Sequence, residues 1–130
     1  MHRSFLQHTA LFVALLSAAC TSSQQPSTEL TPQQFSAAPD AADHILLDVR
    51  TPDEWNAGHL KDAVHIDWYG ADFKQRVANL DKSKPVLVYC AAGGRSGKAQ
   101  DVMLDLGFKR VVNLEGGYTA WTAAGLPVVK

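Results

Sequence analysis

The chain has 130 residues, enough for one core of ordinary size and too few for a second. Its 12 basic and 13 acidic side chains nearly cancel, and only 19% of residues are charged, so it lacks the clustered basic face that nucleic acid requires. Nucleic acid is therefore not an expected partner.

Residues 1–19 have the layout of a secretory signal. His2 and Arg3 precede an apolar stretch centred on Ala10 to Leu16, and the small residues Ser17, Ala18 and Ala19 follow. The apolar part falls short of the ~20 residues that span a bilayer. Cys20, directly after the small residues, gives this segment a resemblance to a bacterial lipoprotein lipobox, although the leucine of that pattern stands one place early, at Leu16. The resemblance implies cleavage before Cys20, its lipidation, and a bacterial envelope location on the periplasmic side. Thr21, where an aspartate would retain the protein at the inner membrane, favours outer-membrane anchoring. Plain secretion and an uncleaved anchor are the alternatives. Residues 20–29 read as a polar tether and residues 30–130 as the domain. With Cys20 lipidated, Cys90 has no partner for a disulfide, and a lone thiol held in an oxidising compartment suggests use. An inert buried cysteine is the competing reading.

Thr31-Pro32-Gln33-Gln34 carries a cap, a first-turn proline and a third-position Gln, predicting a short helix to about Ala38. The apolar run Ile45 to Val49 predicts a buried strand. Thr51-Pro52-Asp53-Glu54 repeats the capping signature for a helix that Gly58 stops, with Glu54 as the capping carboxylate. A strand over Ala63 to Asp67, a helix over Ala71 to Leu80 and a strand over Val86 to Tyr89 follow. From Ser96 the period lengthens, and Ala99, Val102, Met103 and Leu106 mark one helical face ending at Gly107. Val111 to Leu114 reads as a strand and Tyr118 to Ala124 as a helix. Short apolar strands alternating with helices predict an α/β domain with a mainly parallel sheet covered on both faces.

In such a sheet, reactive groups collect beyond the carboxyl ends of the strands. Cys90 follows the strand at Tyr89, and Ala91, Ala92, Gly93 and Gly94 are small enough for the backbone to curl with its amides aimed at the sulfur. Amides and a helix dipole stabilise an anion, so the thiol pKa should fall below ~8.5 and Cys90 should act as a nucleophile. Arg95 is suited to an oxyanionic substrate through forked hydrogen bonds, and Ser96 to capping the next helix or donating to the sulfur.

The segment Cys90-Ala91-Ala92-Gly93-Gly94-Arg95-Ser96 resembles the Cys-x-x-Gly-x-Arg-Ser loop of the rhodanese family. Two further blocks are similar to its signatures. One is Asp48-Val49-Arg50-Thr51-Pro52-Asp53-Glu54-Trp55 with Gly58-His59-Leu60 and His65-Ile66; the other is Leu114-Glu115-Gly116-Gly117-Tyr118 with Trp121 and Gly125 to Val128. The resemblance spans about Leu30 to Val129. It implies a three-layer fold with a five-stranded mainly parallel sheet and helices on both faces. It also implies a sulfurtransferase in which a Cys90 persulfide moves sulfane sulfur from a donor such as thiosulfate to cyanide or a thiol, with no cofactor or metal. Lys61-Asp62 departs from the family, which has a small residue or proline followed by glycine there.

Several other readings compete. A persulfide carrier or redox partner of an envelope protein needs the same Cys90. A phosphatase or arsenate reductase loop needs five residues between cysteine and arginine, and only four separate Cys90 from Arg95. A nucleotide loop fails at Ala92 and Ala99. Asp48 and Arg50, at a strand end, either orient the loop or form a purely structural ion pair. His59 is expected to hydrogen-bond structurally, Trp55 and Trp121 to pack in the core, and Trp68-Tyr69 to wall the pocket or pack at a surface edge.

Overall fold

The computed structural model describes residues 28–38 and 43–130. The expected signal peptide, Cys20 and residues 21–27 of the tether lie outside them. Strands β1 (Glu29–Leu30), β2 (Ile45–Asp48), β3 (Val64–His65), β4 (Val86–Tyr89) and β5 (Val111–Leu114) form one parallel sheet ordered β1-β5-β4-β2-β3. Helices α1 (Pro32–Ser36), α2 (Pro52–Ala57), α3 (Phe73–Ala78), α4 (Gly94–Asp105) and α5 (Gly117–Ala123) alternate with them. This is the expected α/β architecture with five strands.

The period of two along each strand sorts side chains onto two faces. Leu47, Val49, Val86, Val88, Cys90 and Val111 pack with Phe73 and Val77 of α3 and Ala99 and Met103 of α4. Leu87, Tyr89, Val112 and Leu114 pack on the other face with Phe35 of α1 and Trp121 of α5. Leu47, Met103 and Leu114 are wholly covered, and each such side chain stabilises by roughly 1.5–3 kcal/mol. Helices of five or six residues such as α1, α2 and α3 do not persist alone, so packing on the sheet holds them.

Connections leave the middle of the sheet in opposite directions. From β2 the chain runs through α2 to β3 on one side, and from central β4 it runs through α4 to β5 on the other. The crevice above the carboxyl ends of β2 and β4 is thus the topological switch point, where α/β sheets place their sites.

Several boundaries differ from expectation by a residue or two, as where α3 keeps Phe73–Ala78 of the expected 71–80, and three differences bear on the fold. β1 has no apolar run to announce it; Glu29 and Leu30 become a strand because β5 supplies an edge, with Asn113 N–H donating to Thr28 O at 2.8 Å and Glu115 N–H to Leu30 O at 2.8 Å. The sheet therefore begins at Glu29, inside the stretch read as tether. β3 keeps only Val64 and His65 of the longer strand expected, since Ile66 and Trp68 instead hydrogen-bond to Asp48 O and Val49 O as β2 ends. α4 starts at Gly94, before the apolar period begins, so Arg95 and Ser96 belong to its first turn.

Both predicted capping boxes form. Thr31 and Gln34 close one and Thr51 and Glu54 the other. The turn at Lys61-Asp62 keeps a glycine-type backbone, for Asp62 has φ 65°, the sole non-glycine residue with positive φ among those described. A side chain in the left-handed region costs about 1–2 kcal/mol, less for aspartate than for most residues. Asp62 is exposed and has no other evident role, so Asp62→Gly should raise stability by roughly 0.5–1 kcal/mol in urea unfolding. Unchanged or lower stability would show that Asp62 is not strained.

Candidate active site around Cys90

Cys90 lies one residue past central β4, and strand alternation turns its side chain to the α4 face, beneath that helix's first turn. The residue is 1% exposed. Gly93 N–H donates to Sγ at 3.1 Å and Ser96 Oγ–H donates to it at 3.2 Å. Burial pushes the thiol pKa up. Donation from the Ser96 hydroxyl and from the amides of Ser96, Ala92 and Gly93 outweighs it, so the pKa lies below the ordinary thiol value.

The curl of the loop is imposed from outside it. At the start of α5, Tyr118 N–H donates to Cys90 O at 2.8 Å and Thr119 N–H to Ala91 O at 3.0 Å. A trans peptide places its N–H opposite its C=O. Anchoring the Ala91 carbonyl outward on α5 therefore turns the Ala92 amide inward, toward sulfur. Asn113 of β5 adds a third tie, its Nδ2 donating to Gly93 O at 3.2 Å.

This docking requires glycine at position 117. A Cβ there would stand 2.5 Å from Cys90 O and 2.7 Å from Ala91 O, and the residue has φ 61°. Gly117, Tyr118, Thr119 and Asn113 were not foreseen as site residues. The Gly116-Gly117 pair was the available signal, a double break where one turn residue would have sufficed.

Arg95 does not present an empty fork. Its Nη1 and Nη2 donate to Glu54 Oε1 and Oε2 at 2.8 and 2.9 Å, a bidentate ion pair joining the first turns of α4 and α2 over the crevice. The guanidinium holds the Glu54 carboxyl at about 2, against an ordinary 4.5, and Glu54 in turn raises Arg95. Glu54 thus does more than the capping expected of it. It still accepts from Thr51 Oγ1–H at 3.0 Å, so the cap itself fixes the carboxylate. Tyr69, 69% exposed, has its ring centroid 5.8 Å from Arg95 Cζ and stands at the rim, while Trp68 packs edge-on against Phe73.

Asp48 and Arg50 form a buried pair on the sheet face opposite the sulfur. Arg50 Nε donates to both carboxylate oxygens at 3.1 Å, and Nη2 donates to Asp48 Oδ2 at 2.7 Å and to Gly58 O at 2.6 Å. Burial lowers the guanidinium pKa, and Asp48 with Tyr89 more than restores it, so the net direction is up. Arg50 Cζ sits 4.1 Å from the Tyr118 ring centroid. Its link to the loop is therefore indirect, through the residue whose amide holds Cys90 O.

His59 and His65 sandwich Trp55. Ring centroids are 3.5 Å apart for His59 and 4.9 Å for His65, both stacked. His59 Nδ1 contacts Trp55 O at 3.1 Å, the structural bond expected of it. Trp55 is half-buried between imidazoles and outside both core clusters, which corrects its expected core placement, whereas Trp121 does pack in the core against Phe35. A largely apolar cleft of about 170 Å³, lined by residues including Leu46, Leu87 and Trp121, opens on the α1/α5 face and not at Cys90.

Comparison with known proteins gives the family and the fold. The rhodanese-like domain matches residues 31–124, and the chain belongs to that family. A sulfurtransferase from Allochromatium vinosum is 37% identical over 90 residues, covering 69% of this chain and 82% of its own. The chloroplastic thiosulfate sulfurtransferase 16 of Arabidopsis thaliana is 40% identical over 96 residues, 66% of this chain and 80% of that one. The crystal structure of a rhodanese-related protein from Thermoplasma volcanium superposes with a TM-score of 0.70 at 27% identity, over 79% of this chain and 98% of that chain.

Ser96→Ala removes one donor to the thiolate and little volume. The midpoint of Cys90 alkylation against pH should then move up toward ~8.5, and the iodoacetamide rate at neutral pH should fall about fivefold, the equivalent of one hydrogen bond. An unmoved midpoint would show that the hydroxyl contributes nothing to the anion.

Proposed function

We propose that this protein is a sulfurtransferase in which Cys90 carries sulfane sulfur as a persulfide. The observation that carries the reading is the thiol itself: buried, accepting from Gly93 N–H and Ser96 Oγ–H, and lowered in pKa. A thiolate prepared by amides needs no histidine base. In the first half-reaction Cys90 Sγ⁻ attacks the outer sulfur of a donor such as thiosulfate. One S–S bond forms, the donor's S–S bond breaks, and the bonding pair leaves on sulfite. In the second, cyanide or a thiolate attacks the carried sulfur and Cys90 leaves as thiolate. The same ring of donors that holds the thiolate suits the terminal sulfur of the persulfide.

A phosphatase or arsenate reductase reading has less support, because the loop is one residue short and the Arg95 fork is engaged by Glu54. Transfer to a protein acceptor rather than a small thiophile uses the same chemistry.

Assayed as the full chain, the protein should form thiocyanate from thiosulfate and cyanide, and Cys90→Ser should abolish this. Donor alone should add the mass of one sulfur to Cys90. Mass gain without turnover would assign a carrier serving a protein acceptor; neither turnover nor mass gain would overturn the nucleophile.

We further propose that Cys20 is lipidated after removal of residues 1–19, tethering the domain on the periplasmic side of a bacterial envelope. The support is the leader's short apolar stretch and the small residues before Cys20. Intact mass of the envelope-fractionated protein should show acyl chains on Cys20; a retained leader or an unmodified Cys20 would refute the anchor.

A further inference from the structure

The one charged side chain of the Cys90 loop, Arg95, is neutralised by its neighbour. Ala91, Ala92, Gly93 and Gly94 carry no charge, and Arg95 is bound in both its outer nitrogens by Glu54. An arriving donor therefore meets the partial positive charges of the loop amides and Ser96, but no unneutralised side-chain cation at Arg95 to attract a second negative charge. Glu54 is not free to swing away, because Thr51 caps it from behind.

We infer that Glu54 sets the donor charge preference of this site, making it a site for monoanionic sulfane donors, of the thiosulfonate type RSO₂S⁻, over dianionic thiosulfate. This rests on the sulfurtransferase reading and specifies its substrate class. Glu54 acts as a positioning residue, through Arg95. The chemistry is unchanged by donor charge: Cys90 Sγ⁻ bonds to the outer sulfur, the donor's S–S bond breaks, and the pair leaves on sulfinate RSO₂⁻ instead of sulfite, with no oxidant or reductant.

Coulomb energy between the Glu54 carboxylate and a donor scales with donor charge, so its effect on affinity for a dianion is the square of that for a monoanion. Glu54→Gln isolates this effect. Glutamine serves as the capping partner at the equivalent position of α1, where Gln34 closes the box with Thr31, so the cap survives while the charge is lost.

The test measures thiocyanate formation by the full chain with methanethiosulfonate and with thiosulfate, before and after Glu54→Gln. The KM for thiosulfate should fall about tenfold and that for methanethiosulfonate about threefold, with each kcat within about twofold. Equal changes for the two donors, or none, would overturn the inference while leaving sulfur transfer intact. Where sulfur loads Cys90 without thiocyanate, the same comparison is read from the donor concentration that half-loads the protein; neither thiocyanate nor sulfur on Cys90 from either donor would instead refute the sulfurtransferase reading beneath it. Should the variant unfold, salt dependence in the unaltered chain decides: raising salt from ~20 to ~200 mM should leave the thiosulfate KM within about twofold, whereas a severalfold rise would reveal an unneutralised Arg95 and overturn the inference.

Discussion

The planarity of two peptide bonds governs this site. α5 donates to the loop's carbonyls from the amides of Tyr118 and Thr119, and a trans peptide leaves no choice about where the opposite N–H points. Of the amides that reach Cys90 Sγ, that of Ala92 is thus turned inward by α5, and those of Gly93 and Ser96 come from the turn into α4. Glycine at 117 is the condition for that approach, since any side chain would collide with the carbonyls it must meet. A buried thiol whose pKa is lowered is otherwise a contradiction, because burial alone pushes in the opposite direction.

The sheet divides labour by parity. Cys90 faces α3 and α4 with the apolar cluster around Met103, whereas Tyr89, one residue earlier, faces the Asp48–Arg50 pair and Tyr118. Two ion pairs result, with different physical standing. Asp48–Arg50 is almost fully buried, with extra bonds to Gly58 O and two aromatic rings, which is the setting in which removing one partner is severe. Glu54–Arg95 is partly exposed and contributes modestly to stability. Its importance lies in where it places charge.

Much of this was legible in the sequence, and for physical reasons. Val86 to Tyr89 and Val111 to Leu114 are covered on both faces, so their apolar runs announce them, and the capping residues at Thr31 and Thr51 announce α1 and α2. Cys90 and its loop stood out because small residues in a row have no packing purpose. What escaped was set by partners distant along the chain. β1 exists because β5 offers it an edge. The start of α4 at Gly94 is fixed by Asn113 and α5 rather than by propensity, which glycine lacks. The capping motif at Glu54 accounted for that residue so fully that its bond to Arg95, 41 positions away, left no local trace. Trp55 reads as core by composition, but the two histidines that cover it come together only when α2 and β3 are in place.

Asn113 gives the amino-terminal end of the domain an unexpected reach. Its side chain donates from one nitrogen both to Glu29 Oε1 at 3.1 Å and to Gly93 O at 3.2 Å, while its backbone amide holds Thr28 O. Residues 28–29 and the reactive loop therefore share a single buried side chain. Thr28 and Glu29 thus bond to the same residue that steadies the turn beside the sulfur. A cut or fusion at Thr28 is accordingly a choice about the reactive loop as well as about the edge of the sheet.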